Sequence, residues 1–466
     1  MRYRFESFCG CICFLFLVFL VGIILGGSPL GAAGEENPVL GPQSGIARGE
    51  QSVLIAAVRF PDAEPSLPLE QVKKRVTAGL DRYVREQSYG LSSVKADFRG
   101  WVRLPDPLSS YRVSPYNFKV DRSRVRKLIE DTMSALEGEV DFSRYQHLLI
   151  IPGVHTLPGK GYGMICYCAN PGMLTGVRGN LGYATLRSKG GKQFSGGVFV
   201  GAENAHLGMF AHDFFHALGG LHDKKRLVGC QYDFERQSDT SQIPSQDRIA
   251  VFMGPWDIMS QHFLNRREPP PGLTSFTKIR LGWISAAQAV VVKPGETRHA
   301  FLSPLSKGGG TLVVKIPLKG DTYLLLENRQ PLGYDRALPD SGLLITKVDP
   351  DIPEGYGTVR IVNADPKAPR FSHPTFRPDE SNRNIFLDAK AGVAAIPLWE
   401  EGGALGVLVT TPEQSSAALN AAMAIRKLER STKEKGSETR RKLEESRAAF
   451  KALNFKAAAD LAGSGL

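Results

Sequence analysis

At 466 residues the chain is too long for one compact core, so two or three domains are expected. A hydrophobic fraction of 42% against 23% charged residues argues against whole-chain disorder. The formal charge of +11 invites a nucleic-acid reading. The basic residues are spread along the chain without any nucleic-acid-binding signature, so they imply no nucleic-acid partner, only a surface that loosely attracts acidic polymers or anionic membranes.

Arg2 and Arg4 precede an apolar run from Phe8 to about Leu25, followed by GGSPLGAAGEE, with small residues around a cut after Ala33 or Gly34. This has the layout of a secretory signal. The run exceeds the ~7–15 apolar residues of a usual signal and approaches the ~20 that span a bilayer. An uncleaved N-terminal anchor in the membrane therefore stands beside the signal reading. In both, the chain beyond about residue 35 is secreted or otherwise extracytoplasmic. Cys9, Cys11 and Cys13 lie in this leader, residues 1–34. Of Cys166, Cys168 and Cys230, one of the first two can bridge to Cys230 in an oxidising compartment, or all three are free buried thiols.

Residues 35–49, rich in Gly, Pro and Glu, read as a linker. QSVLIAAVRFPD then reads as a buried strand, LEQVKKRVTAGLDRYVREQS as an amphipathic helix and VKADFRGWVRL as an alternating strand. VDRSRVRKLIEDTMSALEG is a second helix and YQHLLIIPG a short buried strand; a glycine-rich stretch ends in GGVFV. The mixture predicts an α+β domain over 50–288. From 289 to 411, VVVKPGE, TLVVKIPL, TYLLLENRQ, SGLLITKVD, TVRIVN and GVLVTT are short β-type runs between turn signals, predicting a β-sandwich or small barrel. Within it Glu327, Arg329 and Asp349 read as polar anchors at strand ends. Residues 412–466, rich in Ala, Lys, Arg and Glu, read as two helices around Gly436. A solvated helical tail is expected there, with a docking or oligomerisation helix as the alternative.

The chemistry concentrates in HDFFHALGGLHD, residues 212–223. On a helix, His212 and His216 share a face. Gly219 and Gly220 let the helix stop, because glycine accepts the left-handed backbone of a helix end. His222 is then expected to return as a third imidazole. Catalytic zinc takes three protein ligands and a water, so these residues predict a zinc site. Only nine histidines occur in the chain, which makes this spacing improbable by chance. Of the adjacent Phe214 and Phe215, one is expected to face the core and neither is assigned to specificity. Downstream, GPWDIMSQ places Met259 in a tight turn that can floor the imidazoles, and His262 follows it.

HDFFHALGGLHD followed by GPWDIMS resembles the metzincin clan of zinc peptidases, and within it the immune inhibitor A-like family. FTKIRLGWI (276–284) and YLLLENRQPLGYDRALPDSGLLITKVD (323–349) resemble that family's closing catalytic segment and following β-domain. VLIAAVRFPD, SYGLSSV and VDFSRYQHLLII fit its start, so the likeness spans roughly residues 50–410. The resemblance implies a secreted endopeptidase acting on a protein or peptide substrate, with one catalytic Zn2+ and often structural Ca2+. It assigns His212, His216 and His222 as zinc ligands, Asp213 as general base and Met259 as the Met-turn. Members often carry Asp at the third ligand position, where this chain has His222. They also carry Glu where it has Asp213.

Asp is one methylene shorter than Glu, so its oxygens stop about 1.5 Å short. A misplacement of about 1 Å can lower a rate ~10²-fold. Attenuated hydrolysis is therefore expected. The competing reading is a catalytically inactive zinc-binding pseudopeptidase serving as an extracytoplasmic binding module. A cell-surface adhesion module resting on the β-domain and tail is the third.

Overall fold

The computed structural model describes residues 35–113, 120–156, 162–176, 181–239, 245–431 and 437–466. The leader, with both readings of it, lies outside the described residues. Among these, no helix is long and apolar enough to cross a membrane.

The stretch expected as a linker is part of the folded body. Strands β1 (Glu35–Asn37) and β2 (Gly41–Gln43) form an antiparallel hairpin, and Leu40 and Ala47 are buried. Gln43 Nε2 donates to the carbonyls of Ile279 and Ile284, and Ser44 Oγ to that of Leu218. Polar residues that look solvated in the sequence here satisfy the carbonyl ends of other elements, as buried backbone requires.

Next come β3 (Gly49–Arg59), α1 (Leu69–Lys74), a π-turn over Arg75–Gly79, α2 (Leu80–Gln87), β4 (Ser92–Arg103), α3 (Leu108–Tyr111) and α4 (Arg122–Leu136). Asp121 caps α4 by accepting from Ser123 N and Arg124 N. They are followed by β5 (His147–Pro152), β6 (Cys166–Asn170), β7 (Leu186–Arg187), β8 (Gln193–Phe194), β9 (Gly197–Gly201) and α5 (Leu207–Gly219). A five-stranded sheet runs β4-β3-β5-β9-β6, parallel except for the edge strand β6. Val53, Ile55 and Ala57 face a core shared with α1, α2 and α5; Leu54, Ala56 and Val58 face one shared with α4. Both faces are covered, which is why VLIAAV is apolar without alternation.

Both Phe214 and Phe215 are buried, contrary to the expectation of one. Phe214 packs on Phe199 and His147, Phe215 on Tyr83 and Trp283. The helix that bears them is enclosed on all sides, and such a helix has no solvent face to spare.

The chain continues through β10 (Leu221–His222), β11 (Lys225–Arg226), α6 (Phe234–Ser238), α7 (Gln246–Ile249) and α8 (Ser275–Arg280). Then follow β12 (Ala289–Val291), β13 (Arg298–Leu302), β14 (Val313–Pro317), β15 (Tyr323–Arg329), β16 (Gly342–Val348), β17 (Val359–Ile361), β18 (Phe386–Asp388), β19 (Val393–Glu401) and β20 (Ala404–Thr410). These form two sheets, β12-β14-β15-β16-β17 and β13-β20-β19-β18. Val314, Leu324, Leu326 and Ile345 of the first share a core with Ala395, Leu405, Val407 and Val409 of the second. The chain is thus a mixed α+β protein.

Three helices close the chain: α9 (Pro412–Ser431), α10 (Ser437–Lys451) and α11 (Phe455–Ser464). They are not a solvated extension. Ala418, Ala422, Ile425, Leu428, Phe450 and Ala458 bury against Ile396, Trp399 and Leu408, on the far side of the second sheet. The Trp399 and Phe450 rings meet edge-on at 5.3 Å. The alternation along β19 and β20 leaves an apolar outer face, and the helices cover it.

Glu327 and Arg329 join the α8 region to β15 rather than serving strand ends alone. Glu327 Oε2 accepts from Ser275 N at 2.7 Å, and Arg329 Nη1 donates to Trp256 O at 2.9 Å. Asp349 lies at the base of the 349–358 loop, where its N–H donates to Thr358 O. Lys278, on α8, is buried with its Nζ donating to Gln87 O. Burial pulls its ammonium down to about 7, with Asp335 opposing. A folded value below the unfolded ~10.4 means that the unfolded chain binds the extra proton, so this group's contribution to stability rises with pH from about 7 to ~10. Lys278→Met removes that slope. Urea midpoints at pH 7, 8 and 9 should converge less steeply toward high stability in the variant, and parallel curves for the two proteins contradict this.

Candidate metal centre

Helix α5 brings its two histidines into register. It starts at His206, whose Nδ1 accepts from Gly208 N at 3.0 Å, and stops at Gly220, whose φ of 63° few other residues adopt. One turn apart, His212 and His216 have ring centroids at 4.7 Å and Nε2 atoms at 3.0 Å. Each ring is held from behind. His212 Nδ1 bonds Ile258 O at 3.0 Å and His216 Nδ1 bonds Val228 O at 2.6 Å. A carbonyl only accepts, so Nδ1 carries the proton in both rings and both Nε2 lone pairs are free. Burial lowers His212 to about 4 and His216 well below its usual range, with Arg226 pushing the same way. Both imidazoles are therefore neutral at neutral pH, the form that ligates metal.

The structure does not bring His222 to this pair. Beyond Gly220 the chain enters the β10–β11 hairpin, turned by Asp223 and Lys224 at φ 48° and 58°. Positive φ at both central residues is the type I′ geometry that suits strand twist. Pairing with Lys225 fixes His222 on the hairpin, where its Nε2 lies 3.4 Å from Asp223 and 3.8 Å from Glu36. The group brought together is instead His212, His216 and Cys230, all buried. Cys230 Sγ stands 3.4 Å from His216 Nε2 and 3.8 Å from His212 Nε2.

These distances suit one ion. Zinc at about 2.05 Å from N and about 2.3 Å from S gives tetrahedral edges of about 3.3 Å for N···N and about 3.6 Å for N···S. The observed edges are 3.0, 3.4 and 3.8 Å. Two imidazoles and a cysteine sulfur also match zinc's preference for N and S donors.

Cys230 is anchored from the second half of the chain. Its N–H donates to Glu354 Oε2 at 2.9 Å, and its carbonyl accepts from Gly355 N at 3.0 Å. Burial, then Glu354, push its thiol well above the usual range, against a smaller pull from Arg226 and a bond from Tyr232. Arg226 is enclosed beside the group: its Nη2 donates to Pro171 O at 2.9 Å and its Nη1 lies 3.6 Å from Glu354. A cavity of ≈ 520 Å³ borders the site, lined in part by His222, Arg226, Cys230, Arg280, Glu354 and Tyr356. It lies between the histidine region and the 350–359 loop, a usual place for a ligand cleft.

Asp213 is buried next to His212. Its carboxyl accepts from the Cys166 thiol and the Cys168 N–H of β6, and burial pushes it up to about 7. Met259 is fully buried in a turn closed by Ser260 N on Asp257 O at 2.9 Å. That turn ties two members of the group together: the Ile258 carbonyl holds His212, and the Met259 carbonyl accepts from Gln231 N, next to Cys230, at 2.9 Å. Asp257 holds the turn in place, taking Met259 N on Oδ1 and Thr274 and Thr277 on Oδ2.

Cys230, Arg226 and Glu354 were missed by reading the sequence. Cys230 stands in the sequence fourteen residues past His216, where it reads as a disulfide partner or a free buried thiol and not as a metal ligand. Cys166, Cys168 and Cys230 are all free. Among the described residues no second set of three metal-ligating side chains stands this close, so no calcium ligands are identified. Compared with known proteins, the chain matches no family model and no curated sequence.

Proposed function

We propose that the chain is an extracytoplasmic zinc-dependent endopeptidase of metzincin type, similar to the immune inhibitor A-like peptidases, in which His212, His216 and Cys230 hold the ion. One observation carries the reading: two Nε2 lone pairs, each on a ring fixed from behind, and one sulfur converge at near-tetrahedral spacing. The two-sheet unit over 289–411 is read as the accompanying β-sandwich. When bound, zinc supplies Lewis acidity and a water acidified to near neutrality.

Asp213 holds the base position, one residue beyond the first ligand. With a value of about 7 its carboxyl exchanges a proton near neutral pH, as acid–base work needs. Its attachment to β6 and its short side chain together limit its reach. The enzyme is therefore attenuated. The ≈ 520 Å³ cavity beside Cys230 accommodates part of a polypeptide substrate.

The test uses residues 35–466, zinc by elemental analysis, and cleavage of unfolded casein. About one zinc per chain is expected, with slow cleavage that Asp213→Glu raises ~10-fold or more, by restoring reach worth up to ~10². Zinc at full occupancy with no cleavage by either form rejects the peptidase. The second reading then holds, a zinc-containing binding module. It is favoured by the engagement of the Asp213 carboxyl with Cys166 and Cys168.

A further inference from the structure

A third imidazole borders the ligand pair without belonging to it. His262 lies three residues past Met259, on a loop laid directly on the first turn of α5. A Cβ placed on Gly208 would fall 1.8 Å from His262 O, so glycine alone permits that contact. The His262 ring stands at 70° to the His212 ring, centroids 4.4 Å apart.

The proton on this ring can be located. Gln246 uses both ends of its amide on His262: one end faces the His262 backbone N at 2.7 Å, the other faces Nδ1 at 2.8 Å. A backbone N–H only donates, so the atom facing it is the amide oxygen. The other end is then NH2, which also only donates, so Nδ1 is an acceptor. The ring proton must sit on Nε2. This is the reverse of His212 and His216, whose protons sit on Nδ1. His262 Nε2 is buried and has no hydrogen-bond partner among the described residues. Buried donors are nearly always satisfied; of the several unpartnered ones among the described residues, this one belongs to the ring packed on His212.

We propose that His262 Nε2–H donates a hydrogen bond to an oxygen of the ligand bound at the His212–His216–Cys230 centre, with Gln246 as the positioning residue that fixes the tautomer. The ligand class is one with a carbonyl or oxyanion oxygen: an amide, a carboxylate or a hydroxamate. A fixed donor aimed at developing negative charge is an effective stabiliser in a dry site. The inference rests on a metal occupying that centre, and it holds for a peptidase and for a binding module alike.

The experiment uses the full zinc-loaded protein with 15N-labelled histidine, and acetohydroxamate as probe. Long-range 1H–15N spectra should show His262 protonated at Nε2, against Nδ1 for His212 and His216. Calorimetry should show acetohydroxamate binding about tenfold weaker in His262→Phe, at unchanged zinc content. Gln246→Glu leaves the ring in place but offers Nδ1 an acceptor; it should move the ring proton to Nδ1 and weaken the probe similarly. His262→Gln, which keeps an N–H, should recover part of the loss. A wild-type His262 protonated at Nδ1, or equal acetohydroxamate affinity in wild type and His262→Phe, overturns the proposal. Loss of casein cleavage alone, with these results intact, rejects the peptidase and leaves the donor role standing.

Discussion

Replacing Cys230 with alanine should lower zinc affinity by more than ~10²-fold, exceeding the ~10–100-fold typical of losing a supporting hydrogen bond. His222→Ala should leave it nearly unchanged. The contrast follows from geometry: Sγ of Cys230 lies within 3.8 Å of Nε2 of both His212 and His216, whereas Nε2 of His222 lies on a separate hairpin near Asp223 and Glu36. Removing the sulfur leaves two imidazoles, too few protein ligands for a tight site. Removing the His222 ring takes away only a side chain lying near two exposed carboxylates, a contact worth little. Competition against a chromophoric chelator reads both variants directly. If His222→Ala loses the metal and Cys230→Ala keeps it, the hairpin must refold around the ion, and the third-ligand assignment reverts to histidine.

Arg329→Met should be the most damaging substitution away from the metal, destabilising the protein by about 3–5 kcal/mol, as breaking a buried ion pair does. The guanidinium is fully enclosed; it bonds Glu327 Oε1 at 3.0 Å and Asp335 at 2.8 and 3.0 Å. Methionine fills the volume but leaves two buried carboxylates without their cation. It also orphans the Trp256 carbonyl, next to Asp257, which supports the Met259 turn. The unfolding midpoint in urea should fall, and adding Glu327→Gln and Asp335→Asn should recover much of the loss. An unchanged midpoint in the single variant would mean that water reaches the cluster.

The parts of this protein legible in its sequence are those set by local spacing. The i, i+4 histidines and the glycine stop describe α5 almost to its last residue. The apolar runs at 51–62, 145–153 and 322–330 mark strands because each must bury both faces. What was hidden depends on contacts between distant segments. His222 fits a ligand pattern, but Asp223 and Lys224 adopt a left-handed turn that spacing does not reveal. Cys230 becomes a ligand candidate only because the Leu227 N–H pairs with Gly220 O and turns the chain back toward the helix. The tail looks solvated because its apolar face is mostly alanine, and its partner, the outer face of β19 and β20, is itself hard to recognise as a surface needing cover.

The anchoring of Cys230 by Glu354 sets an order of assembly. The two residues are 124 positions apart. During synthesis the nascent chain exposes its histidine helix long before the loop that steadies the sulfur emerges. A nascent or truncated polypeptide ending near residue 300 would thus carry both imidazoles yet lack the brace for the cysteine, and a competent centre would arise only after the downstream unit had formed.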